Sequence, residues 1–321
     1  MSMVVQGFSV RPAQMDDAPR VLQYIDACER LEEREHFLSA YTVEDLHADW
    51  QSVSLQSDTL VIYDQDGRIA GYLIMPAFSI DAQGNAESEI GQFSGVHPGY
   101  RGRGIGALLL QHAEQWTQAR AGARTYSIST HIAAYEQGAA ALLEQHGYQC
   151  QGPSLYLMRL TLHEPPASST WPEQVRVRSF VPRQDDDAVK ALVEETFGAP
   201  FSNWNEVYLQ RENFDPSLWH LAESSNGLVG VILSEPHPTI GCIDKLGVRV
   251  DWQGRGLGGA LLLHAFNDFY QRGFKRVDLF VEPENQAARQ LYERIGMRIA
   301  RQYDLYTKTV SVPEHHLYTR R

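Results

Sequence analysis

The chain carries one motif twice. Residues 94–107 read S-G-V-H-P-G-Y-R-G-R-G-I-G-A, and residues 246–259 read L-G-V-R-V-D-W-Q-G-R-G-L-G-G. In both, a strand-like segment runs into a Gly/Arg loop. The likeness extends along the whole sequence. Gly104 pairs with Gly256, Gly122 with Gly273 and Gly147 with Gly296, at offsets of 256 − 104 = 152, 273 − 122 = 151 and 296 − 147 = 149. So small a drift leaves room for few insertions. Arg11, followed by Asp16-Asp17, matches Arg178, followed by Asp185-Asp186-Asp187, and aspartates there favour a helix start. Residues 60–74 match residues 220–233 as two β-rich runs around Asp66-Gly67 and Asn226-Gly227, both hairpin signals. L-Y-L-M-R-L (155–160) and L-Y-T-K-T-V (305–310) read as the closing strands of the two repeats.

A repeat of this length is a duplicated domain, because solenoid periods run at roughly 20–50 residues. The joint falls at H-E-P-P-A-S-S-T-W-P-E-Q (163–174), where Pro and Ser dominate and no hydrophobic period crosses. The expected division is therefore 1–162, a linker at 163–174, and 175–321. Each repeat orders strand, helical segment, hairpin, strand, Gly loop, helix, strand, helix, strand. Leu257, Leu261, Ala265 and Phe269 form an i, i+4 stripe that Gly273 ends, and R-V-D-L-F-V (276–281) follows as a strand. The expected class is α/β, with a mixed sheet in each of two tandem copies.

Composition narrows the function. A chain of 321 residues suits two domains. No apolar run reaches the 18 or so residues of a membrane span, and M-S-M-V-V-Q-G-F-S-V-R-P lacks the features of a signal peptide, so a cytoplasmic protein is expected. A net charge of −12 argues against a nucleic-acid partner. Cys28, Cys150 and Cys242 are too scattered for a disulfide framework or a Cys-x-x-Cys metal site. His315-His316 reads as a solvated tail, so no metal is expected.

The loops themselves suit an anion. A helix start presents unpaired N–H groups and a partial positive charge. Phosphate is its usual guest, and glycines let the oxygens come close. Gln253, Gly254, Arg255, Gly256, Leu257, Gly258 and Gly259 supply this in the second repeat; Arg101, Gly102, Arg103, Gly104, Ile105 and Gly106 do so in the first. Walker A chemistry needs Gly-Lys-Ser/Thr, which is absent. A dinucleotide fingerprint fits formally, through Gly254-x-Gly256-x-x-Gly259 and Asp278 about 20 residues on. That fingerprint belongs at the first βα turn of its domain, whereas here a strand, a helical segment and a hairpin come first.

The residues resemble the GNAT superfamily of acyl-CoA-dependent N-acyltransferases. Its Gln/Arg-x-x-Gly-x-Gly/Ala hallmark is met by Arg101-x-x-Gly104-x-Gly106 and by Gln253-x-x-Gly256-x-Gly258. The second repeat adds V-E-P-E-N-Q-A-A-R-Q-L-Y-E-R-I-G-M (281–297). The tandem arrangement, with F-D-P-S-L-W-H-L-A (214–222), resembles that of two-domain members whose working site lies in the second half. The resemblance implies acetyl-CoA as acyl donor, with pyrophosphate on residues 254–259 and pantetheine along the backbone near Leu246 and Val248. Val96 is the counterpart in the first repeat. It implies direct attack by an amine, with Tyr292 protonating the departing thiolate and Asn285 on the same helical face.

Cys242 stands where some relatives carry a glutamate. Cys242, Asp244 and Leu246 share a face by period-2 alternation, which makes Asp244 the expected base and Glu235 the reserve. In the first repeat Leu143 stands for Tyr292 and Glu136 for Asn285. A leucine donates no proton, and Tyr135 would serve only if the helix were set differently. The first repeat is thus expected to be non-catalytic, and able to bind acetyl-CoA. Trp204, Trp219 and Trp252 are candidates to line an acceptor pocket. The expected acceptor is a small-molecule primary amine and the expected assembly a monomer or homodimer. A non-enzymatic acyl-CoA sensor and a protein N-acetyltransferase are the alternatives.

Overall fold

The structure, a computed structural model, describes residues 6–31, 42–91, 94–198, 209, 214–237 and 240–311. Trp204, His315 and His316 lie outside the described residues.

In chain order the first repeat contains β1 (Ser9–Arg11), α1 (Ala18–Leu31), α2 (Val43–Gln51), α3 (Leu55–Asp58), β2 (Thr59–Tyr63), β3 (Ile69–Ile74), β4 (Ala77–Ile80), β5 (Ala86–Glu89), β6 (Gly95–Val96), α4 (Ile105–Ala121), β7 (Tyr126–Ala133), α5 (Gln137–Gln145) and β8 (Gln149–Thr161). The second contains β9 (Arg176–Ser179), α6 (Asp186–Phe197), β10 (His220–Ser224), β11 (Gly227–Pro236), β12 (Gly241–Val248), α7 (Leu257–Gln271), β13 (Arg276–Val281), α8 (Gln286–Arg294) and β14 (Arg298–Val310). The expected element order holds in the second; in the first, β4, β5 and β6 stand where one strand is expected between the hairpin and the Gly loop. No helix or strand lies between Leu162 and Val175.

The compact units do not follow the cut at 163–174. One comprises the described residues up to Ser154 together with those from Tyr303 on; the other is Leu155–Gln302. The two closing strands are exchanged. Tyr306 of β14 lies opposite Thr130 of β7, and Tyr156 of β8 lies opposite Val281 of β13. These seats are equivalent, since 281 − 130 = 151 is the repeat offset. The boundaries 1–162 and 175–321 remain those expected of the repeats, and the compact units differ from them by the exchange of these strands. Leu155-Tyr156 and Leu305-Tyr306 begin nearly interchangeable strands, so the sequence cannot say which copy fills which seat.

In the second unit, β9, β10, β11 and β12 are antiparallel neighbours, β12 and β13 are parallel, and residues 156–161 of β8 lie antiparallel to β13. Each face of this sheet carries a core. One joins α7 and α8 to Ile232, Ile243, Val277 and Leu279; the other joins α6 to Phe180, Trp219, Val231 and Leu233. The stripe Leu257, Leu261, Ala265 and Phe269 is buried throughout. Gly273 follows α7 with φ +86°, a left-handed conformation that suits glycine. In the first unit β1, β2, β3 and β6 form one sheet, and β5 lies between β4 and β7 in another.

Each repeat staples its first strand to the helix that follows. Arg11 donates to both carboxylate oxygens of Asp17 at 2.6 and 2.8 Å. Arg178 does the same to Asp185 at 2.6 and 2.7 Å. Burial alone would raise the Asp17 pKa; hydrogen bonds from Arg11, Tyr63 and the Gln14 amide outweigh it and hold the group at about 2.

Two outcomes are expected. Tyr306 is buried in the first unit's core, so Tyr306→Ala should cost that unit ~3 kcal/mol. Hydrogen exchange should then accelerate at residues 126–133 and not at 276–281, with Tyr156→Ala giving the reverse. Because its folded pKa is depressed, ionised Asp17 stabilises the fold above pH ~4, by ~2 kcal/mol, and that contribution is lost as pH falls towards 2. Asp17→Asn should lower stability at pH 7 and flatten the acid limb of a denaturant-titrated stability curve.

Candidate active site

Both Gly/Arg loops fold alike. Gly102 and Gly254 have φ +75° and +73°, and Gly104 and Gly256 both have φ +82°. The second glycine of each pair caps the helix, so α4 begins at Ile105 and α7 at Leu257. The first intrahelical bonds run from Leu108 N to Gly104 O and from Ala260 N to Gly256 O. The preceding N–H groups of each first turn therefore have no acceptor within the helix. Arg103 stacks over Tyr100 at 5.3 Å and Arg255 over Trp252 at 4.8 Å. Gln253 donates to Val248 O at 3.0 Å, fastening the loop to the end of β12.

Gly106 and Gly258 serve packing as well. A Cβ on Gly258 would stand 3.2 Å from Leu291 of α8, and one on Gly106 would stand 2.6 Å from Leu142 of α5. Helix α7 thus sits close against α8, and α4 against α5.

Beside the second loop the sheet opens. The pairing of β12 with β13 covers only Gly241–Val277, Cys242–Asp278 and Ile243–Leu279. Strand β12 continues to Val248, so Asp244 to Val248 run on without β13 beside them. The wedge begins at a bulge. Ser234 faces Ile243 and Leu233 faces Lys245, which leaves Asp244 as the extra residue.

The bulge overturns the expected alternation. Ile243, Leu246 and Val248 all pack towards α7 and α8. A Cβ on Gly241 would meet Phe269 of α7 at 2.6 Å. Cys242, between Gly241 and Ile243, therefore points to the α6 face, as does Lys245 beyond the bulge, whose ammonium lies over the Phe197 ring at 5.7 Å. Cys242 and Leu246 are on opposite faces, not one. Asp244 accepts from Lys245 at 3.1 Å through Oδ1, while its Oδ2 is buried without a hydrogen bond among the described residues. Cys242 lies opposite Glu235 of β11, which is 7% exposed. Burial, then the nearby carboxylates of Asp244, Glu235 and Asp278, push the Cys242 thiol well above its ordinary pKa.

Tyr292 projects from α8 into the core on the α7 side and is 8% exposed. Its hydroxyl makes no hydrogen bond among the described residues, and burial raises its pKa to about 12. Asn285 is the N-cap of α8: its Oδ1 accepts from Ala288 N at 3.1 Å, so it sets the start of the helix that carries Tyr292. In the first unit Leu143 is buried at the corresponding place. Glu136 accepts from Ala133 N at 3.3 Å and lies 3.9 Å from Arg101.

Asp278, the acid a dinucleotide fold would place on a ribose, is fully buried and takes two hydrogen bonds from Arg159 of β8 at 2.9 and 2.8 Å. It is committed inside the sheet. Trp219 is buried against Phe180 and Phe214 and belongs to the core; Trp252 is the ring beneath Arg255.

A glycine-capped helix start with orphaned N–H groups, beside a parallel strand pair that splays, is a fold feature that comparison can test. The model of the acetyltransferase (GNAT) family matches residues 24–148 and again 187–297. The chain belongs to the GNAT family. It is an N-acyltransferase of tandem architecture. A protein of Thermobispora bispora named mycothiol acetyltransferase is 34% identical over 214 residues, 63% of this chain and 70% of that one. Another of that name from Paenarthrobacter aurescens is 29% identical, over 78% and 79% of the two chains. A GCN5-related N-acetyltransferase from Sphaerobacter thermophilus superposes with TM-score 0.73 at 31% identity, covering 96% of this chain and 97% of that one. A tandem GNAT protein of the clavulanic acid biosynthesis pathway shares the fold, with TM-score 0.71 at 18% identity over 94% and 98%. Among the described residues no helix is long and apolar enough to cross a membrane.

Gly256→Glu would place a side chain in a left-handed position and a carboxylate among the orphaned N–H groups. Calorimetric titration with acetyl-CoA should lose the second unit's site in this variant, with the circular dichroism spectrum unchanged. The same substitution at Gly104 should leave that site intact.

Proposed function

We infer that this protein transfers an acetyl group from acetyl-CoA to a primary amine of a small molecule, and that the second unit performs the chemistry. One observation carries the reading. Both units keep the loop with matching backbone angles, but at one position of the helix after the following strand the second has the buried Tyr292 where the first has Leu143. The relatives named mycothiol acetyltransferases support a small-molecule acceptor. Cys242, at the position where the family resemblance leads one to expect glutamate, speaks against carrying over that particular acceptor.

The residues divide the work as follows. The N–H groups of 254–259, with Arg255, hold the donor's pyrophosphate. The unpartnered edge of β12 at Leu246 and Val248 aligns the pantetheine and offers an N–H to the thioester carbonyl. Asp244 takes the amine's proton through its buried Oδ2, which has no hydrogen bond among the described residues. Glu235, across from Cys242 on the α6 face, is the alternative base. Tyr292 gives its proton to the departing thiolate. Cys242 is a poor nucleophile because its thiol stays protonated, which favours direct attack over an acyl-cysteine. In the first unit Arg101, Gly102, Arg103, Gly104 and Gly106 remain a non-catalytic acetyl-CoA site.

Tyr292→Phe should lower kcat by ~10²–10⁴-fold and leave acetyl-CoA affinity unchanged. With its pKa raised to about 12, Tyr292 stays protonated below that pH. The wild-type rate should accordingly show no descending limb from loss of this acid through pH 10. Equal loss of binding and turnover in the variant would assign the tyrosine to packing. Ligand binding without any turnover on a panel of small amines would favour an acyl-CoA sensor, and turnover only on peptide N-termini a protein acetyltransferase.

A further inference from the structure

Away from the wedge, three side chains of the second unit converge behind α7. His220 opens β10, and His264 and Asp268 are one turn apart on α7. One potential ligand atom from each lies within 4.8 Å of the others. The ring of His264 stands edge-on to that of His220, with centroids 4.4 Å apart, and is flanked by Trp171 at 5.5 Å. His220 is only 3% exposed. Its Nε2 lies 2.8 Å from Asp268 Oδ2, off the line of a well-formed hydrogen bond, and has no other partner among the described residues.

A buried ring nitrogen held by so poorly aligned a contact is costly. A shared ion accounts for it, because ligands of one metal point at the metal rather than at each other. We propose that His220, His264 and Asp268 bind one divalent transition-metal ion of the zinc or cobalt class. Two imidazoles and a carboxylate select such ions over magnesium or calcium, which prefer oxygen ligands alone. Metal–ligand bonds of ~2.0–2.2 Å bring neighbouring ligand atoms to about 3 Å. The wider separations must therefore close by about an ångström, which the partly exposed His264 and Asp268 can do by side-chain rotation.

The first unit lacks the set. At the repeat offset, 264 − 152 = 112 gives a histidine, but 268 − 152 = 116 gives Trp116, whose N–H is donated to Asp58 at 2.9 Å. The ion would clamp β10 to the helix whose N-terminus forms the second Gly/Arg loop. The site is separate from the acyl-transfer residues, so its test does not depend on activity.

The test is equilibrium dialysis of the untagged full chain against Zn²⁺, with thermal unfolding in parallel. One Zn²⁺ per chain is expected, together with a rise in Tm. Asp268→Asn and His264→Gln change partly exposed groups and should preserve the fold, which circular dichroism checks. Each should weaken binding by more than the ~10–100-fold that loss of a mere outer partner costs, and should abolish the Tm rise. Replacing His315 and His316 by alanine should change neither. Failure of the wild-type chain to retain Zn²⁺, or undiminished retention by either site variant, overturns the proposal.

Discussion

Everything at the second site hangs on two parallel strands that stop pairing part-way. Hydrogen bonds hold β12 to β13 for three residue pairs and then cease. An extra residue in β12 at Asp244 marks the point. A β-strand edge without a neighbour is ordinarily a liability, since its N–H and C=O groups invite any passing chain. Here the edge lies beside the N-terminus of α7, so one extended ligand can satisfy the strand with its amides and the helix with its phosphates. The core on the α7 side then contributes Tyr292, held protonated by its apolar surroundings.

Much of this was legible in the residues. The loop, its two glycine pairs, the α7 stripe and β13 follow from spacing that is local in the chain, and local patterns survive folding. The failures share one origin. Period-2 alternation put Cys242 and Leu246 on one face because nothing in G-C-I-D-K-L-G-V announces a bulge; the extra residue is defined only by its partners on β11. The place of Asp278, a formal match to a ribose-binding acid already disfavoured by the position of its loop, is likewise fixed only by the pairing of β13 with β8, which sets Arg159 opposite it. The His220, His264 and Asp268 cluster was invisible for the same reason, since 44 positions separate its first two members (264 − 220 = 44).

The duplication shows which parts of such a site can drift. Dihedral angles of the loop are retained in both copies to within a few degrees, because a tight strand-to-helix turn needs left-handed glycines whether or not a ligand arrives. The chemical positions are not so constrained. Tyr292 and Leu143 both fill core volume. Asn285 and Glu136 both begin a helix. Selection for folding alone preserves the frame and leaves the residue at the Tyr292 position free to change.

The exchanged strands carry a consequence for how the protein is made. Residues 303–310 complete a sheet whose partner strand was synthesised 306 − 130 = 176 residues earlier. Domains usually fold in the order they leave the ribosome, at about 5–20 residues per second. Here the first unit must wait roughly 10–35 s at those speeds for its last strand, while the second already has β8 in hand. The half of the chain that is made first is therefore the half that finishes folding last.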